Sequence, residues 1–233
     1  MSADLLVSEV FGPTLQGEGP LIGTPAMFLR LGLCNLSCSW CDTPYTWDWS
    51  RFDRDTELTA TTPDDLRGRL SAAGVQLVVV TGGEPLVQQL RLRGLLRGLQ
   101  ADGHILQVET NGTVIPDADT LTLVDHWSIS PKLPHAGNPA SAVVDERTAA
   151  TARLMAGRPG VAWKFVAATV DDLALVDAFI TAYRIPPESV WIMAEGTTRE
   201  SQARPDLAEA TLHRGWHYTP RLHVILWGDE RGR

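Results

Sequence analysis

The sequence predicts an α/β fold built on a mainly parallel sheet, and three features carry that expectation. Apolar, β-branched runs alternate with helical patterns along the chain. Several runs are apolar without a break, as in Leu77-Val78-Val79-Val80, which suits strands buried on both faces. Strand after strand ends in glycine or polar residues, at the edge where ligands bind in parallel α/β barrels.

In chain order, strands are expected at residues 26–31, 76–81, 105–109, 127–130, 162–166, 190–193 and 222–227. A helix is expected at 63–73, where Thr62 offers an N-cap, Pro63 takes the first position and two acids follow. The segment 86–100 repeats Leu at helical spacing with Arg on the outer side. Helical patterns follow at 141–156, 170–183 and 201–215. No linker, repeat or low-complexity tract divides residues 1–233, so one domain is expected. Within it, 1–33 form an N-terminal hairpin and first strand, 34–43 a loop, and 44–62 an insertion with no regular pattern. That insertion holds Trp47, Trp49 and Phe52 among charges. Its plain reading is a packed surface loop; a lid or a docking face is the other.

The strand ends carry chemistry. Residues 76–81 run into Gly82-Gly83-Glu84-Pro85, 105–109 into Thr110-Asn111-Gly112, 127–130 into Pro131-Lys132, and 190–193 into Ala194-Glu195-Gly196. Three of these ends place a carboxylate, Glu84, Glu109 or Glu195, at or just past the strand. Polar, glycine-rich loops are ordinary, so any one end means little, and it is their convergence that suggests a site.

Composition removes some functions. Lys and Arg number 20 against 28 Asp and Glu, a net charge of −8, which argues against binding nucleic acid through its phosphates. The apolar runs are far shorter than the ~20 residues of a membrane span. The start, Met1-Ser2-Ala3-Asp4, has no basic segment and no apolar signal core, so a cytoplasmic protein is expected.

The three cysteines, Cys34, Cys38 and Cys41, are the most informative residues. An odd number in a cytoplasmic protein does not form a disulfide framework. Their Cys-x3-Cys-x2-Cys spacing follows the strand at 26–31, so the cluster opens a loop at the ligand-binding edge. Three thiolates this close suit a soft metal centre. Structural zinc wants a fourth ligand, which only a distant His supplies. A four-iron, four-sulfur (4Fe-4S) cluster on three cysteines leaves one iron open to a small molecule. From spacing alone the cluster, zinc and inert thiols all stand, in that order.

Cys-x3-Cys-x2-Cys in an α/β chain, followed by Gly82-Gly83-Glu84-Pro85 after a strand, resembles the radical S-adenosylmethionine (SAM) superfamily. The resemblance implies a partial (β/α) barrel with its active site at the C-terminal edge of the strands. It implies a 4Fe-4S cluster on Cys34, Cys38 and Cys41, whose open iron chelates SAM. Reduction then cleaves SAM to a 5′-deoxyadenosyl radical. Gly82 and Gly83 remove side chains where backbone approaches the ligand, and Glu84 adds negative charge near the methionine ammonium. Ser130, Pro131 and Lys132 face the ribose hydroxyls and carboxylate of SAM, with Trp40 and Asp42 also on the cofactor side.

The segment before the cluster is more specific. Phe11-Gly12-Pro13-Thr14-Leu15-Gln16-Gly17-Glu18-Gly19, Gly23-Thr24-Pro25-Ala26-Met27-Phe28-Leu29-Arg30 and Cys41-Asp42-Thr43 resemble the 7-carboxy-7-deazaguanine synthase family. So do Glu109-Thr110-Asn111-Gly112 and the C-terminal Leu222-His223-x2-Leu226-Trp227-Gly228. The implied reaction is a lyase step in queuosine and 7-deazapurine biosynthesis. It converts 6-carboxy-5,6,7,8-tetrahydropterin to 7-carboxy-7-deazaguanine with loss of ammonia, using SAM catalytically. Leu15, Gln16, Gly17, Glu18, Arg30, Thr81 and the chain-end carboxylate of Arg233 are implied substrate contacts. Glu109 and His223 are implied to handle protons, and Thr43 to ligate Mg²⁺. A homodimer and an external flavodoxin- or ferredoxin-like one-electron donor are implied too.

The chemistry of these residues is compatible with those roles. Gln16 both donates and accepts, as a pterin amide edge requires. The Arg30 fork matches a carboxylate or carbonyl. Because Arg30 sits in an apolar strand, a carboxylate from ligand or protein must partner it. One hydroxyl is a thin Mg²⁺ site, although Mg²⁺ commonly keeps waters and takes substrate oxygens. Capping of the following turn is the plain alternative for Thr43. No glutamine lies close in sequence to Met193-Ala194-Glu195-Gly196 to contact an adenine, and His223 is followed by Val224, where many relatives carry a basic residue. The rival readings are another short radical SAM enzyme, such as a glycyl-radical activase, and a zinc- or cluster-binding structural module.

Overall fold

The computed structural model describes residues 4–138 and 146–232. Arg233 and the first residues of the helix expected at 141–156 lie outside the described residues. Nine strands form one sheet: β1 (Leu5–Leu15), β2 (Pro25–Leu31), β3 (Thr59–Thr61), β4 (Leu77–Gly82), β5 (Ile105–Thr110), β6 (His126–Ile129), β7 (Val161–Ala167), β8 (Val190–Ala194) and β9 (His217–Tyr218). Their spatial order is β3-β1-β2-β4-β5-β6-β7-β8-β9. Every pairing from β2 through β9 is parallel, whereas β1 pairs antiparallel with β2 and β3. The result is an α/β fold with an open, mainly parallel sheet, as a partial barrel requires.

Side-chain alternation explains how this sheet makes both a core and a site. Successive residues of a strand face opposite ways. Leu29 and Leu31 of β2, Val78 and Val80 of β4, Leu106 and Val108 of β5, and Trp163 and Phe165 of β7 all join one large apolar core. Their neighbours Arg30, Thr81, Glu109 and Lys164 face the other side and line a cavity. A parallel sheet covered on both faces normally reads as continuous apolar sequence. Here the inner face becomes polar toward the strand ends.

The helices close the core. Thr62 caps the helix Pro63–Ser71 by accepting from the Asp65 N–H at 3.2 Å, and Leu66 and Leu70 bury its inner face. In the helix Gln89–Ala101, Leu92, Leu95, Leu96 and Leu99 are buried while Arg97 pairs with Asp119 outside. A 3-10 turn at Pro85–Gln88 precedes it, because Pro85 starts the turn directly after the glycine loop.

Three expectations need correction. Residues 222–227 form an α-helix, Leu222–Trp227, not a strand. A short apolar run fits either element by pattern alone. Only Val224 is fully buried, while Ile225 and Leu226 are exposed, so the run packs along one stripe. The helix expected at 201–215 is two, Arg199–Gln202 and Pro205–Leu212, because Pro205 lacks the N–H to continue and instead opens the second. The insertion 44–62 is more regular than its sequence suggested. It holds a 3-10 turn, Pro44–Thr46, a helix, Arg54–Glu57, capped by Asp53, and strand β3 at the sheet edge. Elements this short show no periodicity.

Candidate active site

The C-terminal ends of β2 and β4–β8 open on a cavity of about 380 Å³. The strands contribute Arg30, Thr81, Gly82, Glu109, Ser128, Lys164 and Met193 to its wall. Loops contribute Leu15, Gln16, Gly17 and Glu18 from the end of β1, all three cysteines, Trp40, Asp42 and Thr43, then Ser130 and Lys132. Arg221 and His223 complete it from the C-terminal helix region. Thus most of the residues singled out in the sequence meet in one place. Glu84 and Pro131 are not among the lining residues.

The three thiols lie on that wall, half-buried and unbridged. Each accepts an N–H: Cys34 Sγ from Leu36 N at 3.4 Å, Cys38 Sγ from Asn138 Nδ2 at 3.1 Å, and Cys41 Sγ from Trp47 Nε1 at 3.3 Å. Thiolates held by iron sites characteristically accept such bonds. Among the described residues, no group of three or more His, Cys, Asp or Glu side chains is arranged around a single metal ion. Three soft sulfur donors on one short loop, with no fourth Cys in the chain, suit an iron–sulfur cluster that leaves one iron open. Burial pushes the Cys34 thiol up to about 12, with Glu84, Cys41 and Cys38 adding to it. Metal ligation is what displaces such a proton.

The glycine pair is sterically required. A Cβ on Gly82 would lie 2.1 Å from the Leu31 carbonyl oxygen, and its φ is +141°. A Cβ on Gly83 would lie 2.2 Å from the Leu33 carbonyl oxygen and 2.9 Å from the Cys34 Cβ. The cluster loop therefore packs directly on the glycine backbone. Glu84 fastens the same corner. Its buried carboxyl accepts from Leu86 N at 3.0 Å, Thr110 Oγ1 at 2.8 Å and Asn111 N at 2.7 Å. Burial still raises it above the usual carboxylate range. Nearby, Lys132 Nζ donates to Ser130 Oγ at 3.0 Å and sits 5.3 Å from the Trp40 ring centroid.

On the same cavity, Glu18 is the centre of a charge chain that runs from buried Lys164 and Arg221 out to the more exposed Asp42. It pairs with Lys164 and, at 3.5 Å, with Arg221 Nε. Arg221 Nη1 in turn reaches Asp42 Oδ2 at 3.3 Å. Burial acts to raise the Glu18 carboxyl, but Lys164, Arg221 and His223 outweigh it and hold the group down at about 2. Burial likewise opposes ionisation of Asp42, and Arg221, Arg30 and Lys132 leave it below its ordinary range. Gln16 Nε2 donates to Gln107 Oε1 at 2.6 Å and to Glu109 Oε1 at 3.1 Å, while Thr81 Oγ1 donates to Glu109 Oε2 at 2.9 Å. A Cβ on Gly17 would stand 2.3 Å from His223 Nδ1, so that glycine lets the imidazole approach.

The carboxylate required by Arg30 is Glu9, at 2.8 Å from Nε. Thr43 is buried, its hydroxyl makes no cap bond to the turn it precedes, and it lies 3.7 Å from Cys41 Sγ. Gln202 comes close to the 193–196 segment in space, but it is buried and not among the cavity-lining residues: its Nε2 donates to the Gly196 carbonyl at 2.7 Å and its Oε1 accepts from Arg221 N at 2.8 Å. Sequence reasoning overlooked Lys164, Arg221, Glu9 and Tyr45. Lys164 carried the signal already used for Arg30, a lone cation inside an apolar strand.

The family model described as Radical SAM superfamily matches residues 30–132. A solved structure, QueE from Escherichia coli, superposes with a TM-score of 0.71 at 25% identity, covering 95% of this chain and 96% of that one. A structure of TYW1 with a lysine-pyruvate adduct shares the fold, with a TM-score of 0.56 at 12% identity over 82% of this chain and 72% of that one. The fold and the cysteine-lined cavity thus define a radical SAM enzyme, a class whose family chemistry uses a 4Fe-4S cluster and SAM. Within that class the relatives are specific. The 7-carboxy-7-deazaguanine synthase of Pyrobaculum aerophilum is 37% identical, over 97% of this chain and 96% of its own. That of Halobacterium salinarum is 36% identical, over 97% and 91%. The chain belongs to the 7-carboxy-7-deazaguanine synthase family.

Proposed function

We propose that this chain converts 6-carboxy-5,6,7,8-tetrahydropterin to 7-carboxy-7-deazaguanine and ammonia. The observation that carries the reading is one cavity lined by the three cysteines together with the Gln16–Glu18 loop, Arg30 and Glu109. Its relatives bear the name of that activity over nearly the whole chain.

Cys34, Cys38 and Cys41 would hold the cluster, which together with SAM would supply radical hydrogen-atom chemistry at the substrate. Gly82, Gly83, Ser130 and Lys132 bind SAM beside Trp40 and Asp42, while Glu84 and Pro131 shape that wall from behind. Glu18, kept ionised by Lys164 and Arg221, accepts from the pterin 2-amino group and ring N–H. Gln16 and Leu15 bracket the ring edge and Gly17 lies flat against it. Arg30, aimed by Glu9, takes a substrate oxygen. Thr81 orients Glu109, and Glu109 and His223 hold or move protons during loss of ammonia. Thr43, whose buried hydroxyl contacts Cys41 Sγ at 3.7 Å, would offer that oxygen to Mg²⁺, which would supply positive charge for the substrate carboxylate. Arg233, outside the described residues, stays a proposed substrate contact. The protein works in the cytoplasm as a homodimer, reduced by a flavodoxin- or ferredoxin-like donor.

Anaerobic incubation of the reconstituted, reduced protein with SAM and the carboxy-tetrahydropterin tests this by mass analysis. The expected product is lighter than the substrate by one ammonia, with SAM recovered and the yield lowered by EDTA. SAM cleavage without any pterin product would overturn the substrate assignment.

A further inference from the structure

Two side-chain N–H groups are aimed at cysteine sulfurs and have no part in the reading above. Trp47 Nε1 donates to Cys41 Sγ at 3.3 Å, and Asn138 Nδ2 donates to Cys38 Sγ at 3.1 Å. Both are fixed by their surroundings. Asn138 is buried, and its Oδ1 accepts from the Ser37 N–H at 2.9 Å, which sets the amide so that its nitrogen meets the sulfur. Trp47 follows the Pro44–Thr46 turn. That turn is pinned where the Leu33 N–H donates to the Thr46 carbonyl at 2.8 Å, just past β2. The two donors come from separate parts of the chain, one in the insertion and one beyond β6, and converge on different sulfurs of one loop.

We propose that Trp47 and Asn138 tune the cluster toward reduction by donating hydrogen bonds to the Cys41 and Cys38 thiolates. The proposal rests on the radical SAM reading of the cysteine loop. Reduction adds one electron, drawn from the external donor, and raises the negative charge shared by iron and thiolate sulfur. An N–H donor to that sulfur binds the more negative state more tightly, so it raises the reduction potential. Among the described residues, the donor to Cys34 is the Leu36 backbone N–H, which no side-chain substitution removes. Where reduction strengthens one such bond by about its ordinary net strength, the ratio of reduced to oxidised cluster changes roughly fivefold.

The test is a redox titration of the anaerobically reconstituted full chain, with dithionite and mediators, read by EPR of the reduced cluster. Trp47→Phe keeps an aromatic ring, smaller than the indole, and deletes the N–H; Asn138→Leu removes the second donor. Each variant should retain wild-type iron and sulfide, while at fixed potential its reduced-to-oxidised ratio falls roughly fivefold, and the double variant falls further. An unchanged or higher ratio in the cluster-loaded variants overturns the proposal. Should both substitutions cost the cluster, the unsubstituted chain labelled with ¹⁵N at tryptophan indole and asparagine amide nitrogens decides. Pulsed EPR must then resolve a ¹⁵N coupling to the reduced cluster, and none overturns the proposal. A wild-type chain that holds no cluster would instead fail the functional reading itself.

Discussion

Among single residues, Glu18 gathers the most physics. It was legible in sequence as an acid between two glycines, but its partners were not. Lys164 and Arg221 lie far along the chain, and only the return of β7 and the C-terminal segment brings them to it. Removing one member of a buried ion pair strands the other, at a typical cost of about 3–5 kcal/mol. Glu18→Gln leaves two buried cations facing an amide and should destabilise on that scale. Its pH signature is more specific. The group titrates at about 2 in the folded chain against an ordinary 4.5. Between those values the unfolded chain binds more protons, so stability rises with pH through that window and is complete above it. It is lost as pH falls from 4.5 toward 2. The span corresponds to about 3 kcal/mol. Urea unfolding between pH 3 and 6 should show a steep acid dependence in the wild type and a flatter one in Glu18→Gln. Equal slopes would remove Glu18 from the charge chain.

At the scale of elements, the strands were the most legible part, because unbroken apolar runs and their polar ends coincide with β2 and β4–β8. The helix Leu222–Trp227 was not, since a six-residue run with five apolar side chains carries no period that separates helix from strand. Glycines show how much element context decides. Gly94 is exposed on the helix Gln89–Ala101, and a Cβ there meets nothing within 4 Å. Gly94→Ala should therefore stabilise by about 0.5–1 kcal/mol, through helix propensity and a less free unfolded chain. Gly82 ends β4 with φ +141° and the Leu31 carbonyl 2.1 Å from an added Cβ. Gly82→Ala must push β4 off β2 and should cost more than about 1 kcal/mol. Thermal melts of the two variants should move in opposite directions. A shared direction would mean that the glycine corner does not set the packing of the cluster loop on the sheet.

On the scale of the whole molecule, the cavity is walled by parts that the sequence keeps far apart, and one carboxylate joins them. Glu9 of β1 accepts from Arg30 Nε at 2.8 Å, from Tyr45 OH at 3.2 Å and from Arg231. Arg231 also donates to Glu57 Oε2 at 3.0 Å and lies 4.0 Å from the Tyr45 ring centroid. The first strand, the insertion and the C-terminal tail are thereby clamped together, with Asp229 to Gly232 forming part of the cavity wall. Arg231 is half-exposed, so each of its ion pairs is worth at most about 1 kcal/mol and is screened by salt. The cation over the Tyr45 ring adds a comparable amount. Loss of all three contacts should free the tail without touching the thiols. Arg231→Ala is therefore expected to hold a normal cluster and to raise KM for the pterin roughly tenfold, with a smaller fall in kcat. Arg231→Lys keeps the charge but loses the fork, and should recover only part of the loss. High salt should weaken wild-type substrate use in the same sense and leave Arg231→Ala nearly unaffected. Steady-state kinetics at two ionic strengths measures all of this, and a wild-type KM in Arg231→Ala would show that the tail is no working wall of the site.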